Sequence, residues 1–115
     1  MRLKHQSLSV GDADVTAAFY VTHFGYAVTK HQARPDAVRV VLERPDHRLQ
    51  LLSGGSVPET EWRHHLAYVV AGGDFDLLSN VLPQLKAPYR LHPNGSRLFF
   101  ALDPDGHAIE IIEEE

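Results

Sequence analysis

Two stretches of this 115-residue chain overlay on one another with a single offset of 60 positions. His5 falls on His65, Val10 on Val70, Leu42 on Leu102 and His47 on His107. Leu49 falls on Ile109, Gln50 on Glu110 and Leu51 on Ile111. Strand, helix and turn signals recur in the same register, so the chain reads as β-α-β-β-β, a linker, and β-α-β-β-β again. This repeat restricts the fold, because neither half can cover both faces of its own sheet. A helix can cover one face of each. The other faces are expected to curve into a shared cleft. The prediction is an α+β fold of two βαβββ modules forming a curved mixed sheet. Module one is placed at 1–53, a linker rich in Gly, Ser, Pro and acids at 54–62, and module two at 63–115, together one domain over 1–115.

The sharpest local signal is Arg97–Ile112, RLFFALDPDGHAIEII. Pro104 presets φ at the first corner of a type I turn and Gly106 supplies a permissive exit. Apolar runs on both sides read as strands, Leu98–Leu102 and Ala108–Ile112. Strand side chains alternate faces, so Glu110 must point away from Ile109 and Ile111. A carboxylate there is either wet or has a partner.

In module one, Leu3–Val10 is expected as a strand with His5, Ser7 and Ser9 on one face. Asp12 or Asp14 can cap a following helix, which Gly25 stops. Val15, Ala18, Phe19 and Thr22 have the spacing of its buried stripe. Tyr26–His31, Ala37–Glu43 and His47–Ser53 read as strands, with a loop at Gln32–Asp36 and a turn at Pro45-Asp46. Leu49 and Leu51 then face one way, and Arg48, Gln50 and Leu52 the other. In module two His65–Val70 reads as a strand. Asp74 is expected to cap a helix carrying Phe75, Leu78, Val81, Leu82 and Leu85, kinked or ended near Leu82 by Pro83. Tyr89–His92 reads as a short strand, and Asn94-Gly95 as a two-residue turn.

Composition narrows the function. A formal charge of −4 leaves no basic surplus for nucleic acid. No apolar run approaches the roughly 20 residues of a membrane span, and Met1–Val10 lacks the apolar core of a signal peptide. A cytoplasmic location is the default expectation. With no Cys, disulfides and thiolate metal sites are excluded. Strand parity puts His5, Gln50, His65 and Glu110 on the faces opposite Leu8, Leu49, Leu51, Ile109 and Ile111. Two imidazoles, an amide oxygen and a carboxylate form a donor set for a divalent metal. Two His and one carboxylate also match non-haem Fe(II) oxygenases. Glu110 is the candidate proton-transfer group. His64 points away from its neighbour, and His23, His31, His47, His92 and His107 read as surface. Trp62, Tyr68, Phe99 and Phe100 are either core or stacking surfaces.

The pieces HQSLSV at 5–10, AAFYVTHFGY at 17–26, HLAYVV at 65–70 and LFFALDPDGHAIEI at 98–111 resemble the vicinal oxygen chelate superfamily. That superfamily includes glyoxalase I, fosfomycin-resistance transferases, extradiol dioxygenases, methylmalonyl-CoA epimerase and bleomycin-resistance binding proteins. The resemblance implies a glyoxalase-like fold around a metal cleft, with His5, Gln50, His65 and Glu110 as ligands. The ion would be Ni, Co, Zn, Mn or Fe. The His, Gln, His, Glu order is similar to the epimerase quartet, whereas bacterial glyoxalase I has Glu where Gln50 stands. The implied activity is a glyoxalase-type lyase or isomerase acting on a small oxygenated molecule. The alternatives are a metal-free drug-binding protein, a fosfomycin-type transferase, or an extradiol dioxygenase. Of the cations a fosfomycin-type enzyme needs, Arg39, Arg48, Arg90 and Arg97 are available. A homodimer is implied, with the cleft within one chain or shared across a twofold.

Overall fold

The computed structural model describes residues 1–86 and 91–115. They form two compact units, Met1–Pro58 and Glu59–Glu115. The first holds β1 (Gln6–Ser9), α1 (Ala13–Phe24), β2 (Ala27–Ala33), β3 (Val38–Arg44) and β4 (His47–Leu52). The second holds β5 (His65–Val70), α2 (Gly72–Val81), β6 (Gln84–Leu85), β7 (Leu98–Leu102) and β8 (Ala108–Glu113). Each unit is a four-stranded mixed sheet, ordered β1-β4-β3-β2 and β5-β8-β7-β6. In each, the first strand runs parallel to the last and the other pairs are antiparallel.

The parallel pairs carry the repeat most faithfully. Gln6 faces Leu49 and Leu66 faces Ile109, the partner lying 43 positions on in both cases. The inner hairpins do not share that fidelity. Leu42 faces Leu49, but the residue facing Ile109 is Ala101, so Leu42 corresponds to Ala101 and not to Leu102. The cause is the hairpin loop. Arg44 pairs with His47 around Pro45-Asp46. Asp103 N–H instead bonds His107 across three residues, Pro104, Asp105 and Gly106. The extra residue is Gly106, whose φ of +84° only glycine adopts cheaply. Gly106 N–H closes the turn on the Asp103 carbonyl at 3.0 Å. His92–Ser96 repeats this design, with Gly95 at φ +91°. The two-residue turn expected at Asn94-Gly95 is therefore a three-residue loop. Pro93 has no N–H, so it cannot supply the donor of the closing pair with Ser96 that a two-residue turn at Asn94-Gly95 requires.

Asp12 caps α1 by accepting from Asp14 N–H and Val15 N–H, and Gly25 ends it at φ +73°. The buried stripe is Ala13, Thr16, Ala17, Tyr20 and Phe24, not the expected Val15, Ala18, Phe19 and Thr22. Both sets have helical spacing in a helix that is apolar on most sides. The winning one buries two large aromatics, and Tyr20 meets the Tyr26 ring edge-on at 5.9 Å. No side chain caps α2, whose N-cap is Ala71. Asp74 sits inside its first turn and does not cap it. Leu82 leaves the helix with ψ 140°, as the residue before a proline prefers. Leu85 pairs with Phe100 in β6 and so is not helical. Of the strand expected at Tyr89–His92, Tyr89 and Arg90 lie outside the described residues. Leu91 forms an isolated bridge to Arg97.

The sheet face under α1 buries Val40, Leu42, Leu49 and Leu51. In the second unit the corresponding face buries Ala101, Ile109 and Ile111, and Phe99 meets Phe75 of α2 edge-on at 5.3 Å. In both units the helix covers one sheet face, and the expected donors lie on the other.

Candidate metal and ligand site

In the second unit the face opposite α2 brings two expected donors together. Glu110 faces Phe100 on β7 and Ala67 on β5, one step along from the His65–Ala108 pair. His65 Nε2 lies 3.7 Å from Glu110 Oε1, with the two side chains 23% and 16% exposed. His65 Nδ1 lies 2.7 Å from the Trp62 carbonyl oxygen, which can only accept. Nδ1 therefore donates that bond, and Nε2 is the nitrogen nearer Glu110, where the lone pair of the neutral imidazole would lie. Fixing an imidazole through its second nitrogen in this way is how metal-binding His residues are oriented. Two donors on one ion, each at about 2.0–2.2 Å, stand roughly 3–4 Å apart. The pair thus suits a divalent cation. Phe100 backs it, meeting the His65 ring edge-on at 5.0 Å and Trp62 at 5.9 Å. Of the four aromatics noted in the sequence, Phe100 and Trp62 serve this face. Phe99 belongs to the helix side.

In the first unit the corresponding donor is already engaged. Gln50 is 9% exposed. Its Nε2 donates to Ser7 Oγ at 2.8 Å, and its Oε1 accepts from Arg39 Nε at 2.5 Å. A guanidinium can only donate, so the amide orientation is fixed. Arg39 Nη1 also donates to Gln32 Oε1 at 3.0 Å. An ion binding Gln50 Oε1 would share that oxygen with Arg39 and sit near a positive charge. His5 lies just ahead of β1 and lines a cavity of about 320 Å³ together with Arg39 and Val41. Among the described residues, neither unit by itself gathers three or more His, Asp or Glu side chains. Each holds two of the four expected donors.

In the sequence Arg39 stands out only as an available cation. The signal was there: Arg39, Val41 and Glu43 alternate along β3, and hairpin pairing puts them on Gln50's face. His47 is not a surface residue as expected. Its Nδ1 lies 2.8 Å from the Tyr26 hydroxyl, and burial pushes its pKa below the ordinary 6.5.

A family model of the Glyoxalase/Bleomycin resistance protein/Dioxygenase superfamily matches residues 2–111. This chain belongs to that superfamily. Solved structures share the fold. The glyoxalase family protein from Enterococcus faecalis is 22% identical, with 97% of each chain covered and a TM-score of 0.74. The fosfomycin resistance protein FosX from Listeria monocytogenes is 18% identical over 100% of this chain and 92% of its own, with a TM-score of 0.76. A point variant of that protein, solved with Mn(II) and 1S,2S-dihydroxypropylphosphonic acid, is 18% identical over 96% of this chain and 90% of its own, with a TM-score of 0.77. No curated protein matches this chain in sequence. No helix among the described residues is long and apolar enough to cross a membrane.

Proposed function

We propose that the chain is a divalent-metal-dependent enzyme acting on a small oxygenated molecule, most like a glyoxalase-type lyase or isomerase. In this reading His5, Gln50, His65 and Glu110 act together, and the two units function as one domain, alone or in a homodimer. The observation that carries it is the His65–Glu110 pair, with the imidazole tautomer set by Trp62. A bound ion would supply Lewis acidity toward substrate oxygens. The chain's own chemistry lies with Glu110, which can take a proton from substrate carbon and return it elsewhere. Phe100 and Trp62 would shield that carboxylate from water. The same family resemblance and the Mn(II)-bound FosX variant support a metal ion in this role.

Elemental analysis of protein purified without a metal-affinity step, then reconstituted, tests the reading. We expect one divalent ion per chain, lost in His65→Ala and in Glu110→Ala. No stoichiometric metal, or unchanged affinity in both variants, removes the proposal. Turnover of the hemithioacetal of methylglyoxal, of fosfomycin with a thiol, and of a catechol would then separate lyase, transferase and dioxygenase.

One observation favours a second reading, a metal-free protein that binds a drug or metabolite. Arg39 holds the amide oxygen that the metal reading needs. Tight ligand binding that survives a chelator, with no metal present after reconstitution, would select this reading.

A further inference from the structure

We propose that the sheet face opposite α1 in the first unit is an anion site, taking a small ligand with a phosphonate, phosphate or carboxylate group. The cavity of about 320 Å³ beside His5 is lined by Lys4, Lys30, Arg39 and Arg48 against a single carboxylate, Glu43. That is a surplus of three positive charges in a space fit for a small molecule. The one acid is spent, since Glu43 is ion-paired with Arg48. Neither Lys4 nor Lys30 forms an ion pair with any described residue.

Arg39 gives the clearest sign. Its guanidinium is held by Gln50 Oε1 and Gln32 Oε1, both neutral amide oxygens. Neutral acceptors fix its orientation without cancelling its charge. Its Nη2 has no hydrogen-bond partner among the described residues, so one terminal edge is free to donate. A planar, pre-oriented guanidinium with free donors is suited to an oxyanion. Lys30 joins it through sheet register. Lys30 faces Val41, which faces Gln50, which faces Ser7, a single row across four strands. Cations gathered on one face repel one another and weaken the unliganded fold. A ligand anion relieves that repulsion.

Calling this ligand the substrate rests on the proposed enzyme function; its binding does not. The test is titration of methylphosphonate, and in parallel acetate, into the full chain by calorimetry. The protein is used chelator-treated and again after loading with zinc. We expect saturable binding to the chelated protein, weakened by added salt. Arg39→Met should weaken it about tenfold or more, and Lys30→Met by a smaller factor that Lys30→Arg restores. Lys30 is exposed, so its variants keep the fold even if Arg39→Met does not. Whichever probe binds more tightly identifies the anion. Absence of binding to the chelated protein overturns the proposal, as do equal affinities in wild type and Lys30→Met. Binding that needs zinc and ignores the cation variants also overturns it, and leaves the metal reading standing. Binding with no metal ever retained upholds it, and ends the metal reading instead.

Discussion

At the middle of the first unit's parallel pair sits an amide held by two neighbours; at the same register in the second sits a carboxylate beside an open imidazole. Gln50 is fixed between Ser7 and Arg39, and Arg39 lines a cavity with Lys4, Lys30 and Arg48. Glu110 has His65 Nε2 at 3.7 Å, and the His65 ring meets Phe100 edge-on. One backbone position thus supports opposite electrostatic preferences, the first for an anion and the second for a cation. The repeat has kept the strands that aim these side chains while the charges around them have separated.

The hardest test of that asymmetry exchanges the two donors' chemistry. Glu110→Gln should cut turnover of any substrate by about 10²–10⁴-fold, the usual worth of a positioned general base. It should weaken metal binding as well. Gln50→Glu should change metal affinity by less than about tenfold, because the new carboxylate would pair with Arg39 before reaching an ion. It should also weaken methylphosphonate binding. Chelator competition and steady-state kinetics on both variants decide the matter. Equal severity in the two would show that both units serve the metal alike.

The two hairpin loops give the next contrast. Asp103 is buried, and its carboxylate accepts Asp105 N–H and His107 N–H, each at 2.9 Å. Asp46, at the tighter loop, is exposed and bonds Arg44 at 2.7 Å. Asp103→Ala should cost about 1–3 kcal/mol, since it leaves two partly buried N–H groups without their acceptor. Asp46→Ala should cost under about 1 kcal/mol, as for other exposed pairs. Urea unfolding of both variants reads the difference. A larger loss at Asp46 would mean that the short loop, not the long one, anchors its hairpin.

These contrasts show what the sequence could and could not disclose. Strand identity was legible because His65–Val70 and Leu98–Leu102 are short apolar runs rich in aromatic or β-branched residues and followed by turn signals, and both strands have the expected bounds. So was the outward parity of Gln50 and Glu110, which follows from the two-residue period alone. The face of α1 was not legible. Its apolar residues surround the helix, and only packing against the sheet selects Tyr20 and Phe24 over Val15 and Phe19. The one-residue slip between β3 and β7 was hidden too, because a uniform offset of 60 cannot register a loop that gains a residue in one half. The Arg39–Gln50 bond needs pairing across a hairpin, so its partners are far apart in sequence yet neighbours in space. β6, at two residues, is too short to leave a pattern.

The helix starts separate the units more gently. Asp12→Ala removes a side chain that accepts two backbone N–H groups and should cost about 1 kcal/mol. Asp74→Ala removes only a charge near the helix N-terminus and should cost about 0.3 kcal/mol. Chemical denaturation of the two variants checks the ordering. If Asp74→Ala costs as much, α2 is capped in solution after all.

Acid should distinguish the units last and least. In the first unit, burial holds the His47 pKa below 6.5; Arg44 adds to that effect and Asp46 opposes it. The unfolded chain therefore takes up a proton on this residue before the folded one does. Its contribution to stability is complete above about pH 6.5 and declines as the pH falls below that value. In the second unit, the Arg97 hydrogen bond holds the Glu113 carboxyl below 4.5, so that contribution is lost only under more acidic conditions. Between pH 7.5 and 5.5, His47→Gln should therefore lose less Tm than the wild type. The gap should be about 1–2 °C, kept small because the imidazole is only partly removed from water. Glu113→Gln should leave the wild-type trend over that range unchanged. Parallel melts for His47→Gln and wild type would show instead that the Tyr26 hydroxyl bond adapts to either protonation state.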